Sequence, residues 1–114
     1  MSGVNGIGGI FFRARDTKSL ASWYEQHLGI TEFWMQAGGP TVFAPFKADT
    51  DYFPADKQWM INLRVDGLDD LLARLSAAGI QAETRTEWDA PETGRFARIQ
   101  DPEGNQIELW EPPA

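Results

Sequence analysis

The sequence contains no cysteine, a single histidine and no long apolar run, and each shortage removes a class of function. Without cysteine there is no disulfide framework, thiolate nucleophile or thiolate metal site. One histidine, His27, cannot supply the two imidazoles that a two-His-one-carboxylate iron site needs. No stretch approaches the roughly 18 apolar residues of a membrane span, and the N-terminus lacks a basic segment followed by an apolar one. Basic residues are also scarce. Ten Lys and Arg stand against seventeen Asp and Glu, a net charge of −7, and the cations are scattered rather than gathered into a stripe. Such a chain repels phosphate backbones, so no nucleic-acid partner is expected. It reads as a soluble, cytoplasmic protein with no membrane partner.

What is present suits one domain spanning residues 1–114. A chain of this length buries roughly 65% of the surface its unfolded form exposes, enough for a core without a structural metal. Five Trp and seven Phe exceed what one modest core holds. An aromatic-lined cup, or an apolar interface in a homodimer, accounts for the excess.

The chain also resembles itself. Gly9-Ile10-Phe11-Phe12-Arg13-Ala14 aligns with Met60-Ile61-Asn62-Leu63-Arg64-Val65, matching apolar and Arg positions. Each segment runs into an amphipathic helix, the first carrying Leu20, Trp23, Tyr24 and Leu28, the second Leu68, Leu71, Leu72 and Leu75. Asp16 or Thr17 and Asp66 are the candidate N-caps, and Gly29 and Gly79 are placed for the left-handed conformation just past each helix end. Strands are expected at residues 31–35, 40–46 and 52–53 after the first helix, and at 80–83, 95–100 and 106–110 after the second. The last two flank Asp101-Pro102-Glu103-Gly104-Asn105, whose Pro and Gly suit a type I turn. The fold class is therefore α+β, with two βαβββ modules at about residues 7–57 and 58–112.

Ile10-Phe11-Phe12-Arg13-Ala14-Arg15-Asp16, Trp23-Tyr24, Leu28-Gly29 and the terminal Asp101-Pro102-Glu103-Gly104-Asn105-Gln106-Ile107-Glu108-Leu109-Trp110-Glu111-Pro112 resemble the vicinal oxygen chelate superfamily. Its members include glyoxalase I, bleomycin-resistance proteins and extradiol dioxygenases. The resemblance spans about residues 7–112. It implies that the paired modules curl into a cup-shaped half-barrel, usually in a homodimer, and leaves open whether they pair within a chain or swap between chains.

In the superfamily's enzymes the metal ligands open the first strand of each module and lie on its last strand. Here the opening positions are Gly9 and Met60, which offer no hard ligand. Glu108 alone matches a ligand position, and the remaining one falls between Phe46 and Pro54, near Asp49 and Asp51. The resemblance thus implies a glyoxalase-like small-molecule-binding protein with no cofactor, holding a small anionic or aromatic ligand. The alternative is a metal-dependent lyase or isomerase of the glyoxalase I type, with Glu108 as metal ligand or base. His27, beside a helix C-terminus, reads as a solvent-exposed cation outside the cup.

Strand alternation names the lining. If Gly9 and Met60 face the cup, so do Phe11, Arg13, Asn62 and Arg64, while Ile10, Phe12, Ile61, Leu63 and Val65 pack under the helices. On the final strand Glu108 and Trp110 face the cup and Ile107 and Leu109 the helices. The candidate ligand-binding residues are Phe11, Arg13, Met60, Asn62, Arg64, Glu108 and Trp110, with Glu108 the candidate catalytic residue. Glu108 is expected to pair with Arg13 or Arg64, because an unpaired buried carboxylate is costly. Each residue also has a structural reading. Glu108 can be a salt-bridge remnant, the arginines can cover the rim with only their stems buried, and Asn62 can hold a turn. Trp34, Trp59 and Trp88 can belong to the core or a dimer interface rather than to ligand stacking. The acidic, aromatic loop 48–56 suits either a lid or a plain connection. Gly3, Gly6, Gly8 and Gly9 lack the strand and the Lys-Ser/Thr of a nucleotide loop.

Overall fold

A computed structural model describes residues 2–114. Its regular structure is concentrated in the second half. Helix α1 spans Thr17–Leu28, strand β1 Ile61–Arg64, helix α2 Leu68–Ala77, strand β2 Arg95–Gln100 and strand β3 Gln106–Glu111, with a short 3-10 turn at Thr86–Trp88. The sheet order is β1-β3-β2, β3 running parallel to β1 and antiparallel to β2.

The ends of α1 follow from local chemistry. Asp16 is the N-cap and accepts from the Ser19 N–H at 3.0 Å, while Gly29 closes the other end at φ 69°. The carboxylate of Glu103, in the β2–β3 turn, accepts from the backbone N–H groups of Arg15 and Asp16 at 2.7 and 3.0 Å. Those two donors hold the Glu103 carboxyl below its usual range. Helix α2 starts differently from the expectation. Its N-cap is Gly67 at φ 68°, not Asp66, and the Leu68 N–H is taken by Glu111 of β3 at 3.0 Å. A carboxylate from the sheet thus does the work assigned to a local side chain. Gly79 adopts φ 83° just beyond the helix, as its position demanded.

The core lies between both helices and one face of the sheet. Leu20 and Tyr24 of α1, Leu68 and Leu75 of α2, Ala97 and Ile99 of β2, and Ile107 and Leu109 of β3 are all buried. Beneath α1, the buried Asp101 accepts from the Tyr24 hydroxyl at 2.7 Å, from the N–H groups of Glu103 and Asn105 at 2.8 and 3.0 Å, and from the Asn105 amide at 2.8 Å. Burial and the adjoining carboxylate push the Tyr24 phenol far above its ordinary pKa. One buried acceptor therefore ties the helix of the first half to the hairpin of the second.

The expected strands at 9–14, 31–35, 40–46 and 52–53 do not form, and the one at 80–83 is reduced to a single bridge between Glu83 and Arg98. The physical reason is the lack of a paired edge: described residues 2–13 and 31–49 lie almost wholly exposed, with no ladder to satisfy their backbone groups. Ile10 and Phe12, expected under the helices, are 55% and 49% exposed. Within the single chain the second half forms three of its four expected strands and its helix, and the first half contributes α1.

Candidate functional site

The face of the sheet opposite the helices carries the polar and aromatic residues. Period-2 alternation sends Ile107, Leu109, Ala97 and Ile99 into the core, and the alternate residues to the other side. Register then lines them up in rows. Asn62 of β1 stands beside Glu108 of β3, which stands beside Arg98 of β2. In the next row Arg64, Trp110 and Phe96 are neighbours, and in the row before it Gln106 faces Gln100.

Glu108 is buried, at 7% exposure, and accepts two hydrogen bonds. The Asn62 amide donates to one carboxylate oxygen at 2.7 Å, and the Tyr52 hydroxyl donates to the other. The Arg98 guanidinium lies over the Tyr52 ring at 4.2 Å and over the Trp88 ring at 4.3 Å, within cation–π range of both. Its Nε is the buried side-chain nitrogen left without a partner among the described residues. Gln106 donates from Nε2 to the Tyr52 carbonyl at 2.9 Å and to the Met60 sulfur at 3.0 Å. Burial first, and then the bond to Glu108, raise the Tyr52 phenol above its ordinary pKa, with Arg98 opposing them.

The residues picked out in the sequence fall into separate places. Glu108 and Asn62 meet directly, and Met60 joins them through Gln106. Arg64 does not pair with Glu108. It donates to the carbonyls of Ala37 and Pro40 at 2.7 and 2.8 Å and to the Thr41 hydroxyl at 3.2 Å, so backbone oxygens of the 37–41 segment take its charge. Arg13 is exposed, and among the described residues no hydrogen bond links it to Glu108. Phe11 is 95% exposed. Trp110 stacks on Phe96, with centroids 6.2 Å apart and planes at 7°, and donates its indole N–H to the Thr93 carbonyl at 2.7 Å. His27, expected to be solvent-exposed, is half-buried and lies 5.4 Å from the Trp23 ring.

Sequence reasoning missed Arg98, Gln106 and the role of Tyr52. The first two were within reach. Counting outward from the Asp101–Asn105 turn pairs Gln100 with Gln106 and Arg98 with Glu108, as the ladder does. Tyr52 carried no such signal, because it reaches Glu108 from a segment without regular structure.

The residues around Glu108 do not fit a divalent ion. Among the described residues no three of His, Cys, Asp or Glu come together. The neighbours of Glu108 are a phenol, an amide and a guanidinium, and a cation on one side disfavours another. An open cleft of about 2800 Å³ lies between the first-half segments and β1, with Asn62 and Arg64 among its lining residues and Glu108 and Arg98 outside it. Ligand pockets measure about 300–1,000 Å³, so this cleft is larger than a fitted small-molecule site.

The glyoxalase-like domain family matches residues 9–110, and the chain belongs to that family. This agrees with the vicinal oxygen chelate resemblance read from the terminal hairpin. None of the curated proteins matches. Among solved structures, the chain is similar to TnmS3, an antibiotic-binding protein from Streptomyces sp. CB03234, at 26% identity. The match covers 98% of this chain and 99% of that one, with a TM-score of 0.61. A glyoxalase/bleomycin resistance protein from the same Streptomyces strain is 29% identical over 84% of this chain and 91% of its own, with a TM-score of 0.48. No helix among the described residues is long and apolar enough to cross a membrane.

Proposed function

We propose that this chain binds a small aromatic molecule on the open face of its sheet, without a metal, and works by holding the ligand rather than transforming it. The observation that carries this reading is the grouping of Glu108, Asn62 and Arg98 in one row, with Tyr52 and Trp88 against the guanidinium. Such a surface offers π-faces and a few fixed polar groups, which is how small-molecule sites obtain affinity and orientation. Charge favours an aromatic ligand over an anionic one. Arg98 is offset by the neighbouring Glu108, and Arg64 is occupied by carbonyls. The full-length likeness to an antibiotic-binding protein supports sequestration as the task.

The same reading makes the protein a homodimer. Phe11, Phe33, Met35 and Phe43 are 95%, 87%, 84% and 80% exposed, and a partner chain covering them would take that apolar surface out of water. A second copy, bringing its first half against the open cleft beside β1, would complete the two-module half-barrel, with modules at about 7–57 and 58–112.

The test is a binding measurement in chelator. Quinoline, titrated against the purified protein with its own absorbance corrected for, should perturb tryptophan fluorescence with no loss when EDTA is present, and metal analysis should find no stoichiometric ion. An ion near one per chain, with melting temperature raised by added Ni(II) or Zn(II), would instead support the metal-dependent lyase or isomerase built on Glu108.

A further inference from the structure

Tyr52 occupies the polar row in the manner of a bound molecule. Its ring lies against the Arg98 guanidinium, its hydroxyl donates to Glu108, and its backbone carbonyl accepts from Gln106. The segment that carries it has no helix or strand between residues 30 and 60, so no ladder hydrogen bonds fasten it to the sheet. Segments held by a few side-chain contacts open at low free-energy cost. The acceptor it covers is costly to leave bare, since Glu108 is a buried carboxyl group. Whatever takes Tyr52's place must therefore bring a hydrogen-bond donor to Glu108 and a flat apolar body to Arg98.

We infer that Tyr52 is an internal stand-in for the ligand, and that the row of Glu108, Asn62 and Arg98 is a site for a hydroxyaryl group, which enters by displacing the Tyr52 side chain. This rests on the aromatic-binding reading above and adds the ligand's chemical class and the competing residue. The incoming ring stacks on Arg98 beside Trp88, and its hydroxyl donates to the Glu108 oxygen that Tyr52 releases. The buried, unpartnered Arg98 Nε is left as a donor for a further acceptor on the ligand. A benzoate-like anion gains less, because its carboxylate would face that of Glu108.

The experiment compares p-cresol, toluene and benzoate as probes of wild type, Tyr52→Phe and Tyr52→Ala, followed by tryptophan fluorescence and by the side-chain amide resonance of Gln106. Removing a competitor tightens binding, whereas removing a wall of the site weakens it, so the two roles predict opposite signs. The expected order of p-cresol affinity is Tyr52→Ala above Tyr52→Phe above wild type, the alanine variant gaining about tenfold or more as the bond to the buried carboxylate is freed. Toluene should bind about tenfold more weakly than p-cresol in every form, and Glu108→Gln should shrink that preference. If Tyr52→Ala does not fold, Tyr52→Leu takes its place in the same order. Weaker p-cresol binding in the variants, or equal binding of toluene or benzoate, overturns the proposal. Failure of the broader aromatic-binding reading looks different: quinoline and toluene then also leave the wild type unperturbed.

Discussion

The two halves carry the same pattern of residues, yet only the second becomes a sheet. Residues 61–111 form three strands and a helix over a buried core, whereas residues 2–60 contribute α1 and otherwise lie open. Helix α1 succeeds because its hydrogen bonds are internal and its ends are closed by Asp16 and Gly29. The segments around it fail as strands because alternation specifies which side faces inward but does not supply a partner edge. Local pattern is enough for a helix. A strand also needs an edge to pair with.

The strongest way to break this contrast is to empty the core of the second half. Leu109→Ala removes a side chain with no exposure between both helices and the sheet, and should cost about 3–5 kcal/mol of unfolding free energy by urea titration. A comparable change in the first half, Phe43→Ser, should leave this domain core intact and act through assembly, so its effect on melting should depend on protein concentration. Equal, concentration-independent losses from both would erase the distinction.

Next in size is Gly94→Ala. Gly94 sits at φ 102°, and a Cβ there would lie 2.1 Å from the Glu111 carbonyl oxygen. The backbone must shift at the joint where β2 meets β3, so a loss on the order of 2–4 kcal/mol is expected in the same titration.

A smaller effect tests how the halves are joined. Tyr24→Phe keeps the ring in the core but takes one donor from the buried Asp101. The expected cost is about 1–3 kcal/mol, with the remaining donors to Asp101 limiting it. No change would mean that apolar packing and the Glu103 bonds to Arg15 and Asp16 hold α1 without help from Asp101.

The mildest perturbation is alkaline pH. The chain has two tyrosines, and both phenols ionise above their ordinary value in the folded state. A raised folded pKa means that the stabilisation is fully present below the unfolded value, about 10, and is lost as pH rises beyond it. Phenolate absorbance should therefore lag behind that of free tyrosine and then rise with the loss of circular dichroism. Ordinary titration near 10 with the fold intact would contradict the environments of both residues.

Legibility followed the same division. The hairpin about Asp101–Asn105, both amphipathic helices and the left-handed Gly29 and Gly79 were readable, because turn chemistry, helical spacing and φ constraints act within a few residues. Which residues share the sheet face opposite the helices in the second half was readable too, since alternation in paired strands puts Asn62, Glu108 and Trp110 on one side. What escaped was long-range. Glu108 takes its second donor from Tyr52, fifty-six residues away, and Arg64 spends its charge on carbonyls of 37–41. No periodicity records a side chain reaching across the fold. The Asp66 cap was displaced for the same reason, by Glu111 arriving from β3.

The central claim, that the open face around Glu108 holds an aromatic ligand, is tested most directly by mapping a bound probe. p-Cresol added to labelled protein in EDTA should shift the side-chain amides of Asn62 and Gln106 and the indole resonances of Trp88 and Trp110, leaving Trp23 on α1 unmoved. Shifts confined to Trp23, or none at all, would contradict it.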